Sequence, residues 1–219
     1  MPPRRAGTIR ELVPLTPLIV SSEATPAAHQ LEARMDRVLV ERAMAGDHEA
    51  FSELTRLSVT KLYAVARLIL RDSERAEDAT QEALVAAWRD LSALRDADRF
   101  EAWLHRLLIR ACHREARMDR RRRAVEVHEL PLDDTAGRDE LPALHDRDQL
   151  ERAFRRLGVE ERAVIVLHHL EGFPLSEIAG ILGIPIGTAK SRLHRGIRTM
   201  RATLDADARV IQIDRGRTA

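Results

Sequence analysis

Apolar residues recur at helical spacing along most of the chain. The first clear run follows Asp47 and keeps to one helix face, at Phe51, Leu54, Leu62, Val65 and Ile69. The Asp47 side chain is of the type that caps a first turn by accepting from its backbone N–H groups. The pattern therefore predicts a helix that begins directly after Asp47.

Two further runs of the same kind follow. The second begins after Asp72 and Ser73 and has its stripe at Ala76, Ala79, Ala83, Leu84, Ala87, Trp88 and Leu91; the third has Phe100, Trp103, Leu104, Leu107, Leu108 and Ala111. Asp98 followed by Glu101 matches a capping box, which would start the third helix after a loop over residues 92–97. Because both tryptophans lie on apolar stripes, we expect each of them to be a core residue rather than a stacking platform.

The periodicity fails between Ala124 and Asp148. Pro131 and Pro142 interrupt this stretch, and its eight acidic residues outnumber its two arginines. Such a segment predicts an extended acidic linker between two helical units. The helical pattern resumes near Leu150 and continues to Gly172.

The segment over residues 175–197 has the layout of a helix-turn-helix. A short helix precedes Gly183, which can take the positive φ of a tight turn, and Ala179 is small enough to let two helices approach. Ile178, Leu182, Ile184 and Leu193 would pack between the helices. This leaves outward-facing residues on the second helix that could enter a major groove, namely Thr188, Lys190, Ser191, Arg192, His194 and Arg195. The alternative is a solvated helix face, but the turn favours DNA binding.

Composition supports an all-helical fold. Hydrophobic residues make up 44% of the chain and aromatic residues only 3%, so the core must be aliphatic, and no stretch alternates like a strand. The net charge of +1 averages a basic stretch against the acidic one. Cys112 is the one cysteine, which excludes an intramolecular disulfide and a cysteine-rich zinc site. The sequence has no 18-residue apolar run, so we expect no membrane insertion and a cytoplasmic location.

Candidate catalytic chemistry is weak. The sequence has no nucleophile elbow and no HExxH spacing, and GIPIGTAKS places Thr188 where a phosphate-binding loop requires its second glycine. We therefore expect no enzymatic activity, no cofactor and no metal site.

Three stretches of sequence together resemble the extracytoplasmic-function (ECF) sigma factors of the sigma-70 family. They are EDATQEALVAAWRDL, FEAWLHRLLIRACHREARMDRRRR and, after the acidic segment, ERAVIVLHHLEGF with IPIGTAKSRLHRG. The resemblance covers residues 36–204. It implies an all-α fold with two small helical domains, sigma-two and sigma-four, joined by the acidic linker. The expected boundaries are a flexible leader over 1–34, sigma-two over 35–123, the linker over 124–147, sigma-four over 148–204 and a polar tail over 205–219.

The resemblance also implies a role for individual residues. The sigma-two helix that docks on the clamp helices of core RNA polymerase would present Asp78, Gln81 and Glu82. Contacts with the downstream, minus-ten promoter element would come from Arg99, Trp103, Arg106, Arg110, His113 and Arg114. Contacts with the upstream, minus-thirty-five element would come from the helix-turn-helix residues Thr188, Lys190, Ser191, Arg192, His194 and Arg195. The linker would thread the polymerase channel that later holds RNA.

The function implied is that of an alternative sigma factor. It would bind core RNA polymerase, recognise both promoter elements, help melt the DNA, and be held inactive by an anti-sigma protein. Three alternatives remain open at this point: a stand-alone helix-turn-helix regulator, an enzyme, and a protein-interaction module without DNA contact. Two residues depart from the family pattern, since Pro174 stands at a capping position and Gly196 lies inside the second helix of the motif.

Overall fold

The computed structural model describes residues 37–125 and 142–217, with side chains described over 37–122 and 149–206. These ranges contain helices and no strands, which confirms the all-α prediction. In chain order the helices are α1 (residues 37–44), α2 (His48–Leu70), α3 (Ser73–Asp90), α4 (Phe100–Val125), α5 (Pro142–Arg155), α6 (Val159–His169), α7 (Leu175–Leu182) and α8 (Ile186–Arg217). Two 3-10 turns, Leu91–Ala93 and Ala97–Arg99, separate α3 from α4. The predicted leader over 1–34 lies outside the described residues.

Side-chain caps fix the ends of α2 and α3. Asp47 accepts from the N–H groups of Glu49 and Ala50, each at 3.0 Å, as the sequence predicts. Asp72 caps α3 in the same way through the Arg75 N–H. Between the two helices Arg71 takes a left-handed conformation with φ 61°, which ends α2 abruptly. The turn therefore packs α3 directly back against α2.

The predicted capping box at Asp98 and Glu101 is wrong. Asp96 is the residue that caps this turn, because its side chain accepts from the Asp98 N–H at 3.0 Å. The Asp98 carboxylate instead binds Arg37 of α1 through both oxygens, at 3.0 and 2.9 Å. Glu101 is paired with Lys61 of α2. Partners distant in sequence thus replace the local capping interaction.

Two helices extend across the predicted domain boundaries, which stay predictions. The helix α5 begins at Pro142, inside the predicted linker over 124–147, and proline is well suited to a first helical position because it needs no N–H partner there. At the other end α8 continues to Arg217, so residues 205–217 of the predicted tail are helical. Residues 126–141 of the predicted linker lie outside the described residues.

One hydrophobic core spans both halves of the described chain. The N-terminal half, α1–α4, contributes Val65, Ile69 and Leu108, and the C-terminal half, α5–α8, contributes Leu167 and Ile178 to the same buried cluster. A smaller cluster attaches α1 to the N-terminal half. The two helical units are therefore packed against each other. Within the described ranges, none of the helices combines the length and the apolar character that a bilayer crossing requires.

The two tryptophans have different environments. Trp103 is partly buried and packs near Phe100, with ring centroids 6.0 Å apart. Trp88 is 47% exposed and rests on one side against His48 and Phe51, each with its centroid 4.8 Å away. The core prediction for Trp88 is wrong, because the ring lies at the rim of the helical layer and has packing partners on one side.

Gly196 allows a close crossing of α8 over α6. A Cβ atom at this position would lie 2.7 Å from the Ile165 Cδ1 atom and 3.3 Å from the Glu161 Cβ atom. The glycine therefore brings the two helices closer than any larger residue would allow. Glycine inside a helix costs about 1 kcal/mol relative to alanine, and the close packing of α8 on α6 accounts for a glycine at this position.

Candidate nucleic-acid interface

The helix-turn-helix forms as the sequence predicts. Gly183 ends α7 in the left-handed region, with φ 65° and ψ 36°. The next N–H group, that of Ile184, donates to the Ala179 carbonyl at 3.0 Å, and Ala179 is buried where the two helices meet. Pro174 precedes α7 without a side-chain cap, which is the departure noted in the sequence. The turn thus fixes the angle at which α8 leaves α7.

The first turns of α8 carry an outward polar face. Lys190, Ser191, His194 and Arg195 are exposed, and Thr188 is half-buried. The Ser191 hydroxyl donates to the Thr188 carbonyl at 2.9 Å, and an Arg195 guanidinium nitrogen lies 3.4 Å from the Glu161 carboxylate. Most of the predicted upstream DNA-binding residues are therefore brought together on one accessible surface.

Arg192 differs from its neighbours on α8. Its side chain is 22% exposed, and its Nη1 atom lies 2.7 Å from Oε2 of Glu160, at the start of α6. This ion pair turns Arg192 away from the outward face of the other predicted DNA contacts.

The predicted downstream DNA contacts lie along α4 and the turn before it. Arg99, Arg110 and Arg114 are exposed. Arg106 is half-buried, and its Nε atom is buried without a hydrogen-bond partner among the described residues. Trp103 belongs to the edge of the core. The exposed cations continue along the helix to Arg117 and Arg120–Arg122. This face can neutralise several phosphates at once.

His113 faces the C-terminal half instead of solvent. Its Nε2 atom lies 3.5 Å from Oε1 of Glu160, the same carboxylate that pairs with Arg192. Burial lowers the pKa of His113 below its usual value; Glu160 opposes this effect, and Arg192 adds to it. The neutral imidazole is therefore favoured in this arrangement.

The predicted polymerase-binding residues occupy one side of α3. Asp78 and Gln81 are exposed, and Glu82 forms an ion pair with Arg114 of α4. This pair joins a predicted polymerase contact to a predicted DNA contact. The acid and amide groups of α3 therefore lie beside the basic face of α4.

The contact between the two halves contains a charged cluster that the sequence analysis missed. Lys61 of α2 places its Nζ atom 2.5 Å from a Glu101 oxygen and 3.0 Å from Oε2 of Glu171, in the loop between α6 and α7. The same Glu171 oxygen lies 3.0 Å from Nε2 of His105, and the Phe173 ring meets the His105 ring edge-on at 5.1 Å. Glu171 thus contacts two residues of the other half.

The Glu171 carboxylate is held in its charged form. Burial favours its neutral form, but interactions with His105 and Lys61 outweigh burial and lower the pKa of Glu171. Burial likewise opposes the charge on Lys61, whereas Glu101 and Glu171 raise the pKa of Lys61 above its usual value. The cluster is therefore an ion pair between halves, with only 3% of the Glu171 side chain exposed.

This cluster also has metal-ligand chemistry. Glu101, His105 and Glu171 place ligand-type atoms within 4.8 Å of one another. The Lys61 ammonium, however, already supplies a positive charge to both carboxylates. One signal in the sequence could have drawn attention to the cluster, since His105 lies beside Leu104 on the apolar stripe of α4.

Comparisons with known proteins agree with this geometry. A family model described as Sigma-70 region 2 matches residues 54–122, and one described as Sigma-70, region 4 matches residues 147–200. The ECF RNA polymerase sigma factor SigM of Mycobacterium tuberculosis is 36% identical over 163 residues, which cover 74% of this chain and 81% of SigM. The chain belongs to the ECF sigma factors of the sigma-70 family. SigW of Bacillus subtilis, another ECF sigma factor, is 27% identical over 75% of this chain and 94% of its own length.

Solved sigma factors share the fold. CnrH, in complex with the cytosolic domain of CnrY, matches with a TM-score of 0.58 and 26% identity over 78% of this chain and 98% of CnrH. RpoE of Bartonella quintana, in complex with the anti-sigma factor NepR, matches with a TM-score of 0.57 and 26% identity over 72% of this chain and 98% of RpoE. The N-terminal half of this ECF sigma factor is thus its sigma-two domain and the C-terminal half its sigma-four domain. As an alternative sigma factor, the chain directs promoter-specific transcription.

Proposed function

We propose that this sigma factor uses α8 to bind the upstream promoter element and α4 to bind the downstream element, while α3 docks on core RNA polymerase. The observation that carries the proposal is the pair of cationic helix faces, one in each domain, on a scaffold matched by both sigma-70 regions. The chain supplies recognition and DNA melting in the cytoplasm, and the polymerase supplies the catalysis.

The cationic and the hydroxyl side chains of α8 are suited to different kinds of DNA contact. Lys190 and Arg195 are exposed cations suited to guanine edges or phosphates, and Thr188 and Ser191 offer short hydroxyl contacts. On α4 the arginine run provides phosphate contacts mainly, while Arg99 and Trp103 adjoin the turns where an unpaired base would be captured. Because both faces act largely through charge, promoter affinity falls steeply with salt concentration.

Core polymerase meets the acidic side of α3. Asp78 and Gln81 are exposed there and can contact a basic partner helix, and the Glu82–Arg114 pair fixes the orientation of this side relative to α4. In the proposal, polymerase docking therefore places α4 over the downstream promoter element.

A protein that sequesters the sigma factor is part of the proposal. The matched structures of CnrH and RpoE were solved with CnrY and with the anti-sigma factor NepR. We extend this kind of partner, an anti-sigma factor, to the present chain on the basis of family membership.

Charge reversal on α8 tests promoter recognition. Lys190→Glu is preferable to Arg192→Glu, because Arg192 also pairs with Glu160 and its replacement changes two interactions. Arg201→Glu is the matched control, since it is exposed on the same helix about three turns further along. Run-off transcription is measured with purified core polymerase and a promoter library, with each variant and without any sigma factor.

We expect specific initiation with the wild type and with Arg201→Glu, and at least a tenfold loss with Lys190→Glu, the size of one lost charged base contact. A wild-type chain that directs no start site yet shifts duplex DNA alone would contradict the proposal. That result would favour a stand-alone helix-turn-helix regulator.

Polymerase binding is tested separately from DNA. Asp78→Arg should weaken binding to core polymerase, because it places a like charge against a basic helix. Asp205→Arg makes the same change at an exposed position of α8, outside the docking surface on α3, and should bind normally. Equal affinities for the two variants would remove Asp78 from the docking surface.

A further inference from the structure

The cluster at Glu171 contains a buried imidazole nitrogen without a hydrogen-bond partner. His105 is fully buried on α4, and its Nδ1 atom lies 2.9 Å from the backbone carbonyl of Glu101, one turn earlier. Because a carbonyl oxygen only accepts, Nδ1 carries the ring proton and Nε2 is the lone-pair nitrogen of the neutral ring. Nε2 makes no hydrogen bond with any residue that the structure describes.

A carboxylate oxygen faces this nitrogen. Oε2 of Glu171 lies 3.0 Å from Nε2 of His105, and only 3% of the Glu171 side chain is exposed. The two atoms are within hydrogen-bonding distance, but they are not aligned for a hydrogen bond. Two electron-rich atoms in contact away from water are stabilised when a cation lies beside both of them.

Glu101 completes a set of three ligand-type atoms. It lies four residues before His105 on α4, so the two side chains share one helix face, and both have ligand atoms within 4.8 Å of each other and of a Glu171 oxygen. Ligands about 2.0 Å from a tetrahedral metal ion are about 3.3 Å apart, which is close to the observed separation of Nε2 and Oε2. The Glu101 side chain is 58% exposed and is free to close the remaining distance.

The donor set selects the type of metal ion. One imidazole nitrogen with two carboxylates suits Zn²⁺ and similar transition-metal dications, whereas Mg²⁺ and Ca²⁺ prefer oxygen ligands alone. The contact of Nδ1 with the Glu101 carbonyl fixes the ring of His105, as the outer partner of a metal-binding histidine does. The exposed Glu101 side chain provides the entry path from solvent.

Lys61 supplies the positive charge to this cluster when no metal is bound. Its Nζ atom lies 2.5 Å from a Glu101 oxygen and 3.0 Å from Oε2 of Glu171. The ammonium ends a flexible four-carbon side chain that is 49% exposed, so it can turn to solvent when a dication arrives. Nε2 of His105 has no hydrogen bond to it. The ammonium therefore competes for the two carboxylates and leaves the imidazole without a cation.

We infer that Glu101, His105 and Glu171 form a binding site for one zinc-type dication, which displaces the Lys61 ammonium from the two carboxylates. None of these residues is assigned to a DNA or polymerase contact, so the inference is independent of the proposed function. The third ligand comes from a loop far along the chain from the other two. Local spacing therefore predicts no metal site here.

Zinc binding to the full, metal-free chain tests the inference. Isothermal titration calorimetry with Zn²⁺ alone, and then with Mg²⁺ in excess, measures affinity and stoichiometry. His105→Gln removes the nitrogen ligand, Lys61→Met removes the competing ammonium, and His169→Gln is the control at an exposed histidine outside the site. Cys112 is fully buried, and burial raises the pKa of its thiol to about 12, so it does not compete for zinc near neutral pH.

We expect one Zn²⁺ per chain for the wild type and for His169→Gln, without competition from about a hundredfold excess of Mg²⁺. His105→Gln should weaken zinc binding at least tenfold. Lys61→Met should strengthen it about tenfold, because the carboxylates lose the cation that competes with the metal. This increase is opposite in sign to the loss that a disturbed fold would cause. Circular dichroism checks that each variant remains helical, and Glu101→Gln, at the exposed edge, tests the site if His105→Gln does not fold.

Two outcomes overturn the metal site. One is a wild-type chain whose dissociation constant for Zn²⁺ is weaker than about 1 mM. The other is a His105→Gln chain that binds zinc as tightly as the wild type, which would place the bound ion elsewhere. Weaker binding by Lys61→Met would overturn the displacement of the ammonium. The titrations contain neither polymerase nor promoter DNA, so a failure of the proposed function would leave their result unchanged.

Discussion

The contact surface between the two domains, here called the seam, has a buried end and an exposed end with different physics. The buried end contains Lys61, His105, Glu171 and Phe173, and at the exposed end His113 of one domain meets Glu160 of the other. At the buried end, Glu171 and His105 are 3% and 2% exposed and are packed beside Phe173. At the exposed end, the Glu160 side chain is 43% exposed, and the side chains of its partners His113 and Arg192 are 23% and 22% exposed. Low dielectric and apolar packing stabilise the first contact, whereas water and ions weaken the second. The comparison indicates that the buried end contributes more than the exposed end to the stability of the contact between the domains.

The largest expected effect comes from removing the apolar part of the buried end. Phe173→Ala should lower the free energy of unfolding by about 3 kcal/mol, because it leaves a cavity in a core that both domains share. Urea denaturation measures this value, with Leu170→Ala as the control, since Leu170 is 37% exposed. Equal midpoints for the two variants would show that the shared core does not hold the seam.

An effect of opposite sign is expected at Arg162. Arg162→Met keeps the length of the side chain but removes a buried charge that faces Arg71, so the closed chain should gain about 1 kcal/mol of stability. A loss of stability would show that Arg162 has a favourable role in the seam.

A smaller effect is expected at the exposed end. Glu160→Gln should cost less than about 1 kcal/mol, and the difference from the wild type should vanish in high salt. The Glu171→Gln difference should persist in the same salt, because its partners are shielded from solvent. Equal salt sensitivity in the two variants would contradict the distinction between the two ends.

The smallest effect is a pH dependence from His113. Its pKa is lowered in the closed chain by burial, and the groups that face it are Glu160, Arg192, Arg117 and Arg120. The open chain therefore takes up the proton more readily, so closure is fully stable above the ordinary value of 6.5 and weakens as the pH falls below it. Urea denaturation at pH 7.5 and 5.5 measures this change as a fall in the free energy of unfolding at the lower pH, and His113→Asn should diminish it. An unchanged slope in that variant would assign the dependence to another group.

Local signals predicted much of the fold. The Asp47 cap, the Gly183 turn and the aliphatic stripes of α2 to α4 depend on neighbours within about one turn, so the sequence contains the necessary information. The Asp98 cap failed because Arg37, far away in the chain, binds that carboxylate. The core prediction for Trp88 was wrong because the spacing of apolar residues identifies the inward face of a helix but does not show how far the neighbouring helices cover that face.

The candidate site was predicted only in part. The outward residues of α8 follow from the helix-turn-helix pattern, but Arg192 and His113 are turned inward by Glu160 of another helix. The Glu171 cluster joins Lys61, His105 and a loop more than 60 residues further along, and no local pattern encodes that meeting. The roles of the DNA-binding and polymerase-binding residues remain predictions.

The most direct test of the account is run-off transcription with purified core polymerase and a promoter library, with the wild type, Lys190→Glu and Arg201→Glu measured in parallel. The account predicts specific initiation with the wild type and with Arg201→Glu, and a loss of at least tenfold with Lys190→Glu. Equal initiation by the two variants would contradict the claim that the outward face of α8 binds the upstream promoter element.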